Sequence, residues 1–198
     1  MDAITIAENE EYLRQKSTPI DFDKDNIEEY ISILDDYFKE SDIALAMAAV
    51  QLGIPKRLIY IKNTNLELIE RKQQDEELEE DKSYNEKRIL INPVIINREG
   101  LTSYWEACAS CLDNTGLVKR PYKIDIEYFD INKEKHVKTF EGFEATVLSH
   151  EMDHLDGVLH IDIAEEVLVM TPEERKEFRK THGYNIISTK GSFEELSK

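Results

Sequence analysis

Basic residues, cysteine and long apolar runs are all scarce in this 198-residue sequence, and each shortage closes off a class of protein. Lys and Arg number 25 against 42 Asp and Glu, a net charge of −17. That balance argues against nucleic acid or an anionic membrane as the main partner, because phosphate binding needs a basic face. Two cysteines, Cys108 and Cys111, are too few for a disulfide framework. No apolar run approaches the roughly 20 residues of a membrane span. The first residues, MDAITIAENEEYLRQK, lack the cationic start and apolar core of a secretory signal and are too acidic for a transit peptide. The expectation is a cytoplasmic protein, of a length that suits one domain with a sizeable core over residues 1–198.

What is present organises as α+β. Apolar residues at Ile27, Tyr30, Ile31, Leu34, Tyr37 and Phe38 predict an amphipathic helix with Asn26 as its N-cap. The small-residue stretch ALAMAAVQLGIP follows, then RLIYI, a strand. Residues at about 62–87 are almost wholly polar and acidic, and predict an exposed insertion. RILINPVII, LTSYWEAC, KIDIEYFD and HVKTFEG predict further strands, largely antiparallel, with Pro93 marking an edge or a bulge. From about Glu144 the pattern turns helical. A last helix starts at TPEERKEF, where Thr171 caps, Pro172 takes the first position and Glu174 completes a capping box.

The stretch LSHEMDHLDG carries the chemistry. On a helix, His150 and His154 project from one face a turn apart, which suits two imidazoles on one Zn²⁺- or Fe²⁺-like ion, with Glu151 beside it to move protons. A catalytic ion needs a third protein ligand and an open position. Downstream, His160, Glu165 and Glu166 are formal candidates, but none has the zincin spacing. Upstream, WEACASCL offers Cys108 at a strand end, the favoured choice, with Cys111 as a competitor.

Three segments in this order resemble the peptide deformylase family. Ala44-Leu45-Ala46-Met47-Ala48-Ala49-Val50-Gln51 is similar to its G-Φ-G-Φ-A-A-x-Q, Glu106-Ala107-Cys108-Ala109-Ser110 to its E-G-C-Φ-S, and His150-Glu151-Met152-Asp153-His154 to its H-E-x-D-H. YLRQKSTPI, LVKRP and HLDGVL resemble the flanking segments. The resemblance implies the family's fold, with a metal-binding helix among antiparallel strands and a C-terminal helix. It implies Cys108, His150 and His154 as metal ligands and Glu151 as general base, then acid. It also implies that the Gln51 amide and the Ala109 N–H receive the oxyanion, with Ala44, Leu45, Ala46, Glu106 and Ala107 along the substrate. The metal would be Fe²⁺, with Zn²⁺, Ni²⁺ or Co²⁺ as substitutes. The substrates would be nascent chains beginning with N-formylmethionine, the product formate, and a transient ribosome contact would fit the locally basic ERKEFRKTHGY.

Departures from the family pattern lie in the small residues. Ala44, Ala46 and Ala107 stand at glycine positions, Val50 at a proline, and Cys111-Leu112 where Val-Pro is usual. Three extra methyls near one cleft are expected to narrow it or shift its walls. The rival readings are a deformylase-fold amidase with another N-acyl substrate and a metal-containing binder of peptide N-termini without turnover. Retention of Glu151 and Gln51 favours catalysis.

Overall fold

The structure is a computed structural model that describes residues 2–41, 44–62 and 87–198. Apart from its two end residues, the acidic insertion expected at about 62–87 lies outside the described residues. The described chain runs α1 (Ile6–Leu13), α2 (Ile27–Glu40), β1 (Ala46–Ala48), a 3₁₀ turn (Ala49–Leu52), β2 (Leu58–Ile61) and β3 (Arg88–Ala107). A second 3₁₀ turn (Ala109–Cys111) leads into β4 (Asn114–Arg120), β5 (Lys123–Phe129) and β6 (Lys135–Glu141). The remainder is α3 (Phe143–Leu155), α4 (His160–Ile163), β7 (Glu166–Val169), α5 (Pro172–Arg179), β8 (Asn185–Ser192) and α6 (Phe193–Leu196). No helix among the described residues is long and apolar enough to cross a membrane.

β3 is the hub of the sheet. Its first residues pair with β2, its middle with β5 and β8, and its end with β4, all antiparallel. RILINPVII and LTSYWEAC, expected as separate strands, are therefore one 20-residue strand. Register shifts between Ile91 and Val94 and between Ile95 and Asn97 absorb Pro93, which has no N–H to donate. Gly100 lets the strand continue. Its φ is 73°, and an added Cβ would lie 2.5 Å from the Ser188 carbonyl oxygen of β8. β8 itself carries no strong alternation and was not expected from the sequence, so the chain does not end on the α5 helix.

The two sides of the sheet bury different helices. α3 packs through Ala145, Leu148, Met152 and Leu155 against Ala46, Ala48, Ile59, Ile61, Ile124 and Phe140. α2 packs Leu34 and Phe38 against Met47, Leu58, Tyr60 and Ile91, with Phe38 stacked on Tyr60 at 4.4 Å between centroids. α2 begins as expected, the Asn26 side chain accepting the Glu29 N–H at 3.3 Å. α5 likewise carries its capping box: Thr171 Oγ1 accepts the Glu174 N–H and the Glu174 carboxylate accepts the Thr171 N–H.

Candidate active site

Three short segments meet at the inner face of α3. Cys108 follows β3 and caps the turn Ala109–Cys111, His150 and His154 project from α3, and Gln51 sits on the turn after β1. Cys108 Sγ and His150 Nε2 each lie 3.2 Å from His154 Nε2. One donor atom from each of the three residues falls within 4.8 Å of the others. A tetrahedral ion with ordinary Zn–N and Zn–S bonds would hold such donors about 3.3–3.6 Å apart. The residues fit a divalent ion: a sulfur and two imidazole nitrogens converge on one point, and His154 brings its Nε2 while its buried Nδ1 has no partner.

His150 is held from behind. Its Nδ1 donates to Glu106 Oε2 at 2.8 Å, which directs Nε2 toward Cys108 and His154. Glu106 accepts two further hydrogen bonds from Arg120, at 2.8 and 3.0 Å, and Arg120 also pairs with Asp153 on α3. Glu106 and Arg120 are both 4% exposed. Burial alone would raise the Glu106 carboxyl, but the Arg120 charge and hydrogen bonds, with His150, hold it well below the usual carboxylate range. Glu106, expected along the substrate, thus lies behind His150 with both oxygens engaged.

Glu151 has a different environment. Its Oε2 accepts the Ala48 N–H at 2.7 Å, and the side chain is 5% exposed. Burial pushes its carboxyl up, with the charges of His150 and His154 opposing. A carboxylate with raised proton affinity beside a cluster of metal donors is suited to accept a proton. Gln51 Nε2 donates to Cys108 Sγ (3.2 Å) and Ser110 Oγ (3.1 Å), so the amide already points into the centre. Ala109, exposed, opens its 3₁₀ turn, where the first N–H groups have no acceptor inside the turn.

The other candidates for a third ligand stay outside. His160 stacks obliquely near His150, ring centroids 5.6 Å apart, but its Nε2 faces the Asn114 carbonyl at 3.3 Å. Glu165 pairs with Lys119, and Glu166 is exposed on β7. Cys111 is buried with Leu13 and Leu159, not among the donors. Its thiol, with the charge of His154, holds Cys108 well below the ordinary thiol value against the effect of burial, while Cys108 and burial push Cys111 up. Two of the methyls at glycine positions, those of Ala46 and Ala44, part ways. Ala46 is 9% exposed in the core under α3, and Ala44 packs toward α2. Leu112 has φ 57°, which proline cannot adopt, so the turn leaves Cys111 by a path a Val-Pro sequence could not follow.

An antiparallel sheet packed on a helix that carries two histidines and a buried carboxylate, with a cysteine brought beside them from the turn after β3, is the arrangement of a metal-dependent hydrolase. A family model described as polypeptide deformylase matches residues 1–168, and this chain belongs to that family. A peptide deformylase of Pelagibacter ubique is 35% identical over 161 residues, spanning 79% of this chain and 83% of the relative. Peptide deformylase 2 of Clostridium acetobutylicum is 33% identical, spanning 80% and 93%. Among solved structures, a peptide deformylase of Synechococcus elongatus in complex with actinonin superposes with a TM-score of 0.64 at 28% identity, covering 91% of this chain and 86% of that one. A probable peptide deformylase from Synechococcus phage S-SSM7 gives 0.67 at 28% identity, covering 82% and 98%. The fold is that of peptide deformylases, and the activity is removal of the N-formyl group from nascent peptides.

Sequence reasoning missed Arg120, Asp153 and Ser110 as members of the site. Arg120 stands in LVKRP and Asp153 in HEMDH, both within segments that carry the family resemblance. Nothing in the sequence says that an arginine of β4 reaches a glutamate 14 residues earlier on β3.

Proposed function

We propose that Cys108, His150 and His154 hold one divalent ion, Fe²⁺ with Zn²⁺, Ni²⁺ or Co²⁺ as substitutes, in one domain spanning the chain, and that Glu151 is the proton carrier of the deformylation. The observation that carries this reading is the pairing of three convergent donors with a buried carboxylate of raised proton affinity. When bound, the ion supplies a Lewis acid and makes water acidic enough to act near neutral pH. Glu151 takes the proton of the attacking water and returns it to the departing amine nitrogen as formate leaves. Its anchor on the Ala48 N–H keeps one carboxylate oxygen fixed. The Ala109 N–H and the Gln51 amide donate to the oxyanion, Gln51 exchanging its bond to Cys108 or Ser110 for the new acceptor. Glu106 acts through His150, fixing its ring with Arg120 as counter-charge.

The substrates in this reading are N-formylmethionyl nascent peptides in the cytoplasm. A transient ribosome contact would use the locally basic ERKEFRKTHGY, where Lys180 is exposed while Arg179 donates to the Trp105 carbonyl (3.1 Å from Nε) and Arg175 to Thr115 and Met170. Release of formate from formyl-Met-Ala-Ser and of acetate from acetyl-Met-Ala-Ser, using Fe²⁺-loaded protein kept from oxygen, tests the reading. Formate from the first peptide with no hydrolysis of the second is the expected result. Equal hydrolysis of both would make the chain a general N-acyl amidase, and no hydrolysis of either would make it a binder.

A further inference from the structure

We propose that Cys108 and Cys111 form a redox modification site, a vicinal thiol pair that a hydroperoxide converts to an intramolecular disulfide. Cys111 stands where the family resemblance led to the expectation of valine, so its thiol is no part of the shared centre. The turn Ala109–Cys111 brings the two cysteines together. The Cys111 N–H donates to the Cys108 carbonyl at 3.0 Å, closing a tight turn across three residues. Turns of this kind keep their end Cα atoms within about 7 Å, overlapping the roughly 4.4–6.8 Å that disulfides bridge. The Cys108 side chain packs against the small cluster that holds Cys111, so the two side chains lie on the same side of the turn.

The two thiols differ in access, which sets the order of events. Cys108 is partly exposed, whereas Cys111 is fully buried in the small cluster with Leu13 and Leu159. Oxidant from solvent therefore meets Cys108 first. The Cys108 sulfur attacks the peroxide, the O–O bond breaks, and the sulfur takes one oxygen as a sulfenic acid while the other leaves as an alcohol or water. The Cys111 sulfur then attacks the Cys108 sulfur. The S–O bond breaks, the S–S bond forms, and hydroxide departs as water with the Cys111 proton. Two thiols lose one electron each, and the peroxide takes up both. Cys111 in this way protects Cys108 from the further, irreversible oxidation to sulfinic and sulfonic acids. The consequence for the centre rests on the proposed ligand role of Cys108: a sulfur in a disulfide no longer holds the ion.

The test exposes Ni²⁺-loaded protein, parent and Cys111→Ser, to hydrogen peroxide. Titratable thiols, intact mass, a non-reducing peptide map and bound nickel after desalting are then measured, before and after dithiothreitol. The parent is expected to go from two titratable thiols to none, to lose two hydrogens in mass, to release nickel, and to recover thiols and nickel binding on reduction. Cys111→Ser is expected to gain oxygens on Cys108 that dithiothreitol does not remove. Cys111→Val serves the same purpose should the serine disturb this apolar cluster. Oxygen added to Cys108 of the parent while Cys111 stays titratable would overturn the proposal. A disulfide formed with nickel still bound would uphold the thiol pair and overturn Cys108 as a ligand.

Discussion

Charged side chains behave in opposite ways around α3 and in residues 172–198. Beside α3, Glu106, Arg120 and Glu151 are nearly sealed from solvent, and the oxygens and nitrogens of the first two are used up by one another, by His150 and by Asp153. In the C-terminal segment, which lies beyond the family match, neither α5 nor β8 buries a residue, and pairs such as Lys180–Glu177 lie on the surface. That segment is fastened by a few contacts: β8 on β3, Arg179 on the Trp105 carbonyl, and Phe178 edge-on to Trp105 at 5.1 Å. Burying charge is costly, so a buried network is best explained by the work it does, whereas surface charge can change with little consequence.

The contrast can be broken most severely at Arg120. Arg120→Met would leave Glu106 buried beside His150 without its counter-charge, a loss of about 3–5 kcal/mol in stability, read by denaturant unfolding. If the midpoint barely moves, the network is not the support it is taken to be. Gln51→Leu removes an oxyanion donor and is expected to lower kcat about 10²–10³-fold with metal content unchanged, as formate release and metal analysis would show.

His160 sharpens the comparison through pH. Burial, with the His150 charge beside it, holds its imidazole down to about 4. The unfolded value is about 6.5, so between these limits the unfolded chain takes up the extra proton and stability falls as the pH drops. Thermal melts of the parent and His160→Gln from pH 7 to pH 4 should differ in slope, the parent losing roughly 2–3 kcal/mol more than the variant. Parallel curves would mean the buried imidazole is not linked to folding. At the far end of the scale, Lys180→Ala in the C-terminal segment should shift stability by under about 1 kcal/mol.

The same division explains what the sequence disclosed. Local patterns were readable: the α2 stripe, the Thr171-Pro172-Glu174 start of α5, and the four-residue spacing that sets His150 and His154 on one face of α3. Features that depend on pairing through space were not. β3 reads as two strands because the polar stretch NREG, ending in Gly100, interrupts its pattern, yet bulges and the close approach of β8 carry it through. The Arg120–Glu106–His150 chain joins β4, β3 and α3, and no spacing along the sequence encodes it. The spacing of Ala44 and Ala46 suggests one shared face, but Ala44 precedes β1, so strand alternation does not govern it, and the two methyls go to different cores.

The central claim is that the buried carboxylate of Glu151 moves the proton while Cys108, His150 and His154 hold the ion. Glu151→Gln and the parent, loaded with the same metal, would be compared for bound metal per chain and for formate release from formyl-Met-Ala-Ser. The account predicts equal metal and a kcat lower by at least the 10²–10⁴-fold that general acid–base catalysis typically supplies. Turnover by Glu151→Gln as fast as by the parent, at equal metal content, would contradict it.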